Sequence, residues 1–113
     1  MPRYAILMRE DDNKWSSLGP DAQEMLLQKY FAWTDDLKAR NAFVTGAPIG
    51  TGGRLLRLTE GQVVETPFRE LKQVLTGYFI IEAADLTAAT EIARTCPALI
   101  HGETVELRPV GKV

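Results

Sequence analysis

The pattern of hydrophobic and polar positions contains several runs of strand length. Two apolar runs predict strands at Arg3 to Arg9 and at Gly77 to Glu82, and a run that alternates with a two-residue period predicts a strand at about Glu103 to Arg108. Two further runs, Arg54 to Leu58 and Gln62 to Glu65, flank the turn residues "TEG" and predict a hairpin. In the last strand, Val105 and Leu107 face one way, opposite to the polar residues.

A spacing of three and four residues between apolar positions predicts two helices. The first is expected to begin at Pro20, where a missing N–H costs nothing, and to run to about Arg40. Its predicted stripe comprises Ala22, Leu26, Tyr30, Trp33 and Leu37, widened by Met25, Leu27 and Phe31. The second is expected to be capped by Asp85 and stopped by Pro97. Its predicted buried face comprises Leu86, Ala89, Ile92, Ala93 and Cys96.

The remaining segments are predicted to be loops. "EDDNKWSSLG" is polar, and "TPFRELKQVLT" is expected to be an irregular connection with at most one helical turn. A short apolar piece, Ala42 to Val44, leads into "GAPIGTGG". That glycine-rich stretch lacks the lysine and the following helix of a phosphate-binding loop. It therefore predicts a flexible loop, with a lid over a pocket as a further hypothesis.

The order strand, helix, strands, helix, strand predicts an α+β, ferredoxin-like sandwich with a mostly antiparallel sheet and two helices on one face. The strands around Tyr4 to Met8 and Tyr78 to Ile81 are apolar on both faces. A sheet exposed to water on one side should alternate instead. We therefore expect a homodimer, formed through the sheet face that carries no helix.

The length, charge and cysteine content of the chain limit the classes of function that it could have. The 113 residues suit a single domain, 1–113, and the net charge is −2 with 13 basic and 15 acidic residues. A nucleic-acid or anionic-membrane partner is not expected, because both require a basic surface. Cys96 is the only cysteine and is predicted to pack as a small hydrophobic residue. The apolar run at the N-terminus is too short for a signal-peptide core, so a cytoplasmic location is expected.

Three segments together resemble the YCII-related family, in its DGPF-domain branch. "ETPFRELKQVLTGYFIIE" resembles the family's D-G-P-F block, "DLTAATEIARTCP" its second helix, and "HGETVELRPV" its closing strand. The resemblance covers nearly the whole chain and implies a dimeric α+β barrel. It departs at Glu65-Thr66, where the family has Asp-Gly. The longer side chain and the loss of a glycine imply that a site built there is altered.

His101 is the only histidine and the first candidate for chemistry. Imidazole exchanges protons near neutral pH, although a loop histidine bonded to backbone or water is an equally plain interpretation. His101 matches the histidine of the family's closing motif. Glu65 and Glu70 are the candidate carboxylates, to orient the imidazole or to act as bases, and each is otherwise a surface charge.

Four further residues are candidates for binding a substrate. Lys72 offers a positive charge for an anionic substrate. Arg108 lies opposite Val105 and Leu107, and Tyr78 and Trp15 are candidate pocket walls. No cofactor is expected. No metal is expected either, because one histidine and one cysteine give no cluster of ligands in the sequence.

Two functions from different classes follow. One is a small-molecule enzyme in which His101 transfers a proton, with Glu65 or Glu70 as partner, for elimination or isomerisation of a small polar or aromatic acid. The other is a non-catalytic metabolite-binding or regulatory module linked to transcription, since the resemblance includes proteins associated with sigma factors. The altered "ETPF" block favours the second function slightly.

Overall fold

A computed structural model of the chain describes residues 1–10, 14–50, 52–67 and 74–111. The strands are β1 Arg3–Glu10, β2 Phe43–Pro48, β3 Arg54–Thr59, β4 Gln62–Pro67, β5 Val74–Glu82 and β6 Thr104–Pro109. The helices are α1 Lys14–Ser17, α2 Pro20–Ala39, α3 Leu86–Arg94 and α4 Pro97–Ile100.

One antiparallel sheet organises the domain. It has four strands in the order β2-β5-β1-β6, and β3 and β4 form a separate two-stranded sheet. The buried side chains of β1 and β5 pack against α2 and α3, and Ile6, Leu37 and Ile81 are fully buried there. The predicted α+β, ferredoxin-like fold is confirmed. No helix in the described ranges has an apolar stretch long enough to cross a membrane.

The hairpin is also confirmed. Glu60 and Gly61 form its turn with φ of 52° and 77°. Positive φ at both central turn residues matches the right-handed twist of the strands on either side. The two strands are longer than predicted and end at Thr59 and Pro67.

The prediction of a loop after α2 is wrong for its first part. Phe43–Pro48 is a strand that pairs with β5, so Gly46 and Pro48 belong to the sheet and not to a lid. A Cβ at Gly46 would lie 2.3 Å from Cδ1 of Phe79. Glycine is therefore required at this position so that the Phe79 ring can pack closely. The prediction that this glycine belongs to a flexible loop is wrong. Strand β5 likewise begins at Val74 and not at Gly77.

The predicted apolar stripe of α2 is too wide. Leu26, Trp33 and Leu37 are buried, whereas Ala22, Met25, Leu27 and Phe31 are exposed. Only one narrow row of a helix can face the sheet, and positions about 100° away around the axis point elsewhere.

In α3, Asp85 caps the helix as predicted by accepting a hydrogen bond of 2.8 Å from the N–H of Ala88. Leu86, however, is exposed.

Candidate functional site

His101 lies where a short helix meets the last strand. Helix α4 begins at Pro97 and ends at Ile100, and His101 is its C-terminal cap. Gly102 follows with φ of 86°, a conformation that suits glycine, and its N–H donates to the carbonyl of Leu99. The chain can therefore reverse direction and enter β6, which fixes the imidazole at the entrance of the strand.

Two carboxylates lie close to the imidazole. Nε2 of His101 is 3.8 Å from Oε2 of Glu10, and the side chains are 7% and 11% exposed. Neither atom has a hydrogen-bond partner among the described residues. Glu103 is also buried, and one ligand atom from each of the three residues lies within 4.8 Å of the others. A buried acid–base cluster thus forms at the end of β1.

A bulge in β5 brings a hydroxyl group to this cluster. Met8 is paired with Gly77 and Arg9 with Leu75, so Thr76 is an extra residue in the ladder. Bulges redirect side chains in this way. The Thr76 hydroxyl lies within hydrogen-bond distance of the carbonyl oxygen of Met8 and of Oε1 of Glu103. It thereby fixes the position of the Glu103 carboxylate.

The helix side of the cluster is closed by Tyr30, Met8 and Cys96. The Tyr30 hydroxyl is 3.5 Å from Sδ of Met8, which lies 3.9 Å from Sγ of Cys96. Burial raises the pKa of Tyr30 above its ordinary value, and nearby Cys96, Glu103 and Glu10 act in the same direction. Burial also raises the pKa of Cys96 to about 11, so both groups keep their protons at neutral pH. The prediction that Cys96 packs as a hydrophobic residue is confirmed, since it is 1% exposed.

Of the two predicted catalytic carboxylates, only Glu65 is among the described residues, and it does not lie in this cluster. Glu65 is exposed on β4, where its Oε1 is 2.9 Å from Nε of Arg54 in the neighbouring strand. Glu70 and Lys72 lie outside the described residues. Catalytic roles for Glu65 and Glu70 stay predictions, and the carboxylates that the structure brings to His101 are Glu10 and Glu103.

Tyr78 and Arg108, two of the predicted substrate-binding residues, also lie outside the cluster. Tyr78 pairs with Leu7 and Arg108 with Ala5, on the sheet face without helices, whereas Glu10 continues the buried face of β1. The Arg108 guanidinium is 3.7 Å from a carboxylate oxygen of Glu106.

Trp15 is partly buried in α1, a helical turn within the segment predicted to be a loop. The backbone carbonyl of Trp15 accepts a hydrogen bond of 3.0 Å from the Gln23 side chain. A substrate-binding role for Tyr78, Arg108, Trp15 or Lys72 stays a prediction.

Sequence reasoning missed Glu10, Glu103, Thr76 and Tyr30 as site residues. One local signal for Glu103 existed, because a carboxylate two residues after the only histidine stands at the same strand entrance. Tyr30 was assigned to the helix core, and nothing local distinguishes Glu10 from a surface charge. The sequence also indicated no clustered metal ligands, whereas in the fold Glu10 from the first strand meets His101 and Glu103 from the other end of the chain.

Comparisons with known proteins agree with this architecture. Among solved structures, the chain is similar to 5-chloro-2-hydroxyhydroquinone dehydrochlorinase from Burkholderia phenoliruptrix AC1100, determined in complex with 2,5-dihydroxybenzoquinone, with a TM-score of 0.61. The sequences are 14% identical, and the match covers 96% of this chain and 93% of that one, which establishes the fold. No curated protein sequence matches the chain. The family model of the YCII-related domain matches residues 2–112. The chain therefore belongs to the YCII-related family.

Proposed function

We propose that the protein is a small-molecule enzyme in which His101 transfers a proton, with Glu10 as its carboxylate partner. The observation that supports this is the separation of 3.8 Å between Nε2 of His101 and Oε2 of Glu10, two nearly buried groups. Such contacts are often loose without substrate and tighten in the complex. An imidazolium formed by proton uptake would be stabilised by the adjacent carboxylate.

The reaction class that fits this pair is proton abstraction from a carbon next to a carbonyl or hydroxyl group. In an elimination, the electrons of the C–H bond form a double bond and expel a leaving group from the neighbouring carbon. In an isomerisation, the proton returns to a different carbon. Tyr30 carries its proton at neutral pH, and burial raises its pKa further, so its hydroxyl can donate to a substrate oxygen that gains negative charge.

The proposed substrate is a small polar or aromatic acid. The structurally similar protein is named a dehydrochlorinase and was determined with a dihydroxybenzoquinone, which supports a small oxygenated ring as a first probe. At 14% identity the similarity extends to the fold, and the choice of substrate remains our proposal.

We also propose that two copies pair through the sheet face without helices, in the cytoplasm. Leu7, Tyr78 and Ile80 form a partly buried apolar centre on that face. The separate hairpin exposes Leu56 and Leu58, and an isolated two-stranded sheet is only marginally stable in water. Light scattering coupled to gel filtration at micromolar concentration should give twice the mass of one chain, and a monomer mass would contradict the pairing.

The test of the enzymatic function is hydrogen exchange in D₂O, followed by proton NMR over a panel of small 2-hydroxy, 2-oxo and dihydroxy-aromatic acids. The wild-type protein should catalyse exchange of a carbon-bound proton in at least one member. His101→Ala should lower the rate by roughly 10²-fold to 10⁴-fold, the usual contribution of a general base. Glu91→Gln, on the exposed side of α3, is the matched control and should leave the rate unchanged.

The outcomes separate the two functions. Exchange that survives in His101→Ala would contradict the proposed role of the histidine. Saturable binding of 2,5-dihydroxybenzoquinone or a panel member without exchange would favour the metabolite-binding module instead.

A further inference from the structure

We propose that Glu10, His101 and Glu103 form a binding site for a divalent transition-metal ion of the zinc type. This site goes beyond the proposed function, although it uses the same histidine. One imidazole nitrogen and two carboxylate oxygens lie within 4.8 Å of one another. Ligands at about 2.0–2.2 Å from Zn²⁺ in tetrahedral geometry are about 3.3–3.5 Å apart. The 3.8 Å between Nε2 and Oε2 is thus already close to the required separation.

Burial of the histidine is an independent reason to expect a ligand. The His101 side chain is 7% exposed, and its Nε2 points at Glu10 without a hydrogen-bond partner among the described residues. Oε2 of Glu10 is in the same situation. Leaving a buried polar atom unpaired costs about 1–3 kcal/mol, and more for a charged group. A cation between the two atoms satisfies both at once.

The surroundings of Glu103, the third residue of the site, also fit a role as a metal ligand. The Thr76 hydroxyl, displaced by the bulge in β5, holds Oε1 of Glu103. Metal-binding carboxylates are commonly oriented by such outer hydrogen bonds. Three protein ligands leave at least one coordination position for water or a small molecule, which is typical of zinc sites that are not purely structural.

The donor set also selects the ion. Imidazole with carboxylates suits Zn²⁺ and its first-row neighbours, whereas Ca²⁺ and Mg²⁺ prefer sites built from oxygen alone. Cys96 is not a ligand in this arrangement, because its sulfur is not among the ligand atoms that lie within 4.8 Å of one another.

Metal binding and proton transfer by His101 exclude each other. Nε2 has one lone pair, which either accepts a proton or binds the ion. Because the ligands must be deprotonated, lowering the pH weakens binding and raising it strengthens binding. Zinc is therefore expected to inhibit the proposed proton exchange, so that the ion acts on this site as a regulator.

The experiment is a titration of the chelator-treated full chain with Zn²⁺, in competition with a chromophoric chelator. Binding should saturate at one ion per chain and persist in excess Mg²⁺ and Ca²⁺. His101→Gln and Glu103→Gln should each lower the affinity by about 100-fold or more, and Thr76→Val by about 10-fold to 100-fold. Glu91→Gln, on the exposed side of α3, is the control and should keep wild-type affinity.

X-ray absorption at the zinc edge is measured on the wild-type protein, so its result does not depend on whether the variants fold. It should show imidazole nitrogen and carboxylate oxygen and no sulfur. Absence of saturable binding, unchanged affinity in folded His101→Gln, or sulfur ligation would each overturn the site. These readouts do not depend on turnover. If the wild-type protein binds no zinc but its proton exchange depends on His101, only the metal site is refuted. If the protein binds zinc but His101→Ala still catalyses exchange, only the enzymatic role of the histidine is refuted.

Discussion

The buried thiol behind the candidate site makes the stability of this protein sensitive to alkaline pH. Burial raises the pKa of Cys96 from 9.0 to about 11, the negative charge of Glu103 adds to the rise, and a hydrogen bond from the backbone of Ala98 opposes it. Below pH 9 the thiol is protonated in both states and its contribution to stability is complete. Between pH 9 and pH 11 only the unfolded chain loses this proton, so folding stability falls.

The size of the fall follows from the shift. One pKa unit corresponds to about 1.4 kcal/mol, so the two-unit shift is equivalent to at most about 3 kcal/mol, of which the wild-type protein should have lost about 2 kcal/mol by pH 11, where the folded thiol is itself half ionised. Cys96→Ala removes the effect at a fixed cost of about 1 kcal/mol for the lost packing. The variant should therefore be less stable at pH 7.5 and more stable at pH 11.

Urea unfolding followed by tryptophan fluorescence, in reducing buffer at several pH values, measures this crossover. Tyr30 also has a raised pKa, to which Cys96 contributes, and adds its own loss of stability at high pH. Making the comparison in a Tyr30→Phe background removes this contribution, so that the difference between the two proteins isolates Cys96. A difference in unfolding free energy that stays constant from pH 7.5 to pH 11 would refute the assignment of Cys96 as a buried, protonated thiol.

Two further predictions concern the frame around the site. Gly46→Ala should lower the free energy of unfolding by about 1–3 kcal/mol, because the new Cβ would lie 2.3 Å from Cδ1 of Phe79; an unchanged urea midpoint would contradict this packing. Asp85→Ala should cost about 1 kcal/mol, because the N–H of Ala88 loses its cap, whereas Asp85→Asn should retain most of the stability in the same assay.

The site depends on elements that are distant in the chain. Glu10 ends the central strand β1, His101 caps α4, and Thr76 lies in a bulge of β5. The bulge changes which residues of β5 oppose β1 and turns a hydroxyl toward Glu103. The geometry of this cluster consequently depends on strand register as well as on the identity of the four side chains.

The order of the main strands and helices, and with it the fold class, was determined by the sequence alone, although β2 and the short helices α1 and α4 were not. Short apolar runs marked the central strands, and the three-to-four-residue spacing marked α2. Asp85 and the Glu60-Gly61 turn were identified because a helix cap and a hairpin turn depend only on nearby residues. These signals act over a few residues, so they can be recognised without knowledge of the packing.

Only the tertiary structure decided which groups meet. Glu10 lies 3.8 Å from His101 because the antiparallel pairing of β1 with β6 brings the end of one strand to the start of the other. Gly46 belongs to a strand because the Phe79 ring packs against it. Phe31 remains exposed because the sheet covers one narrow side of α2. Each of these outcomes depends on surfaces contributed by remote segments, which local hydrophobic patterns do not encode.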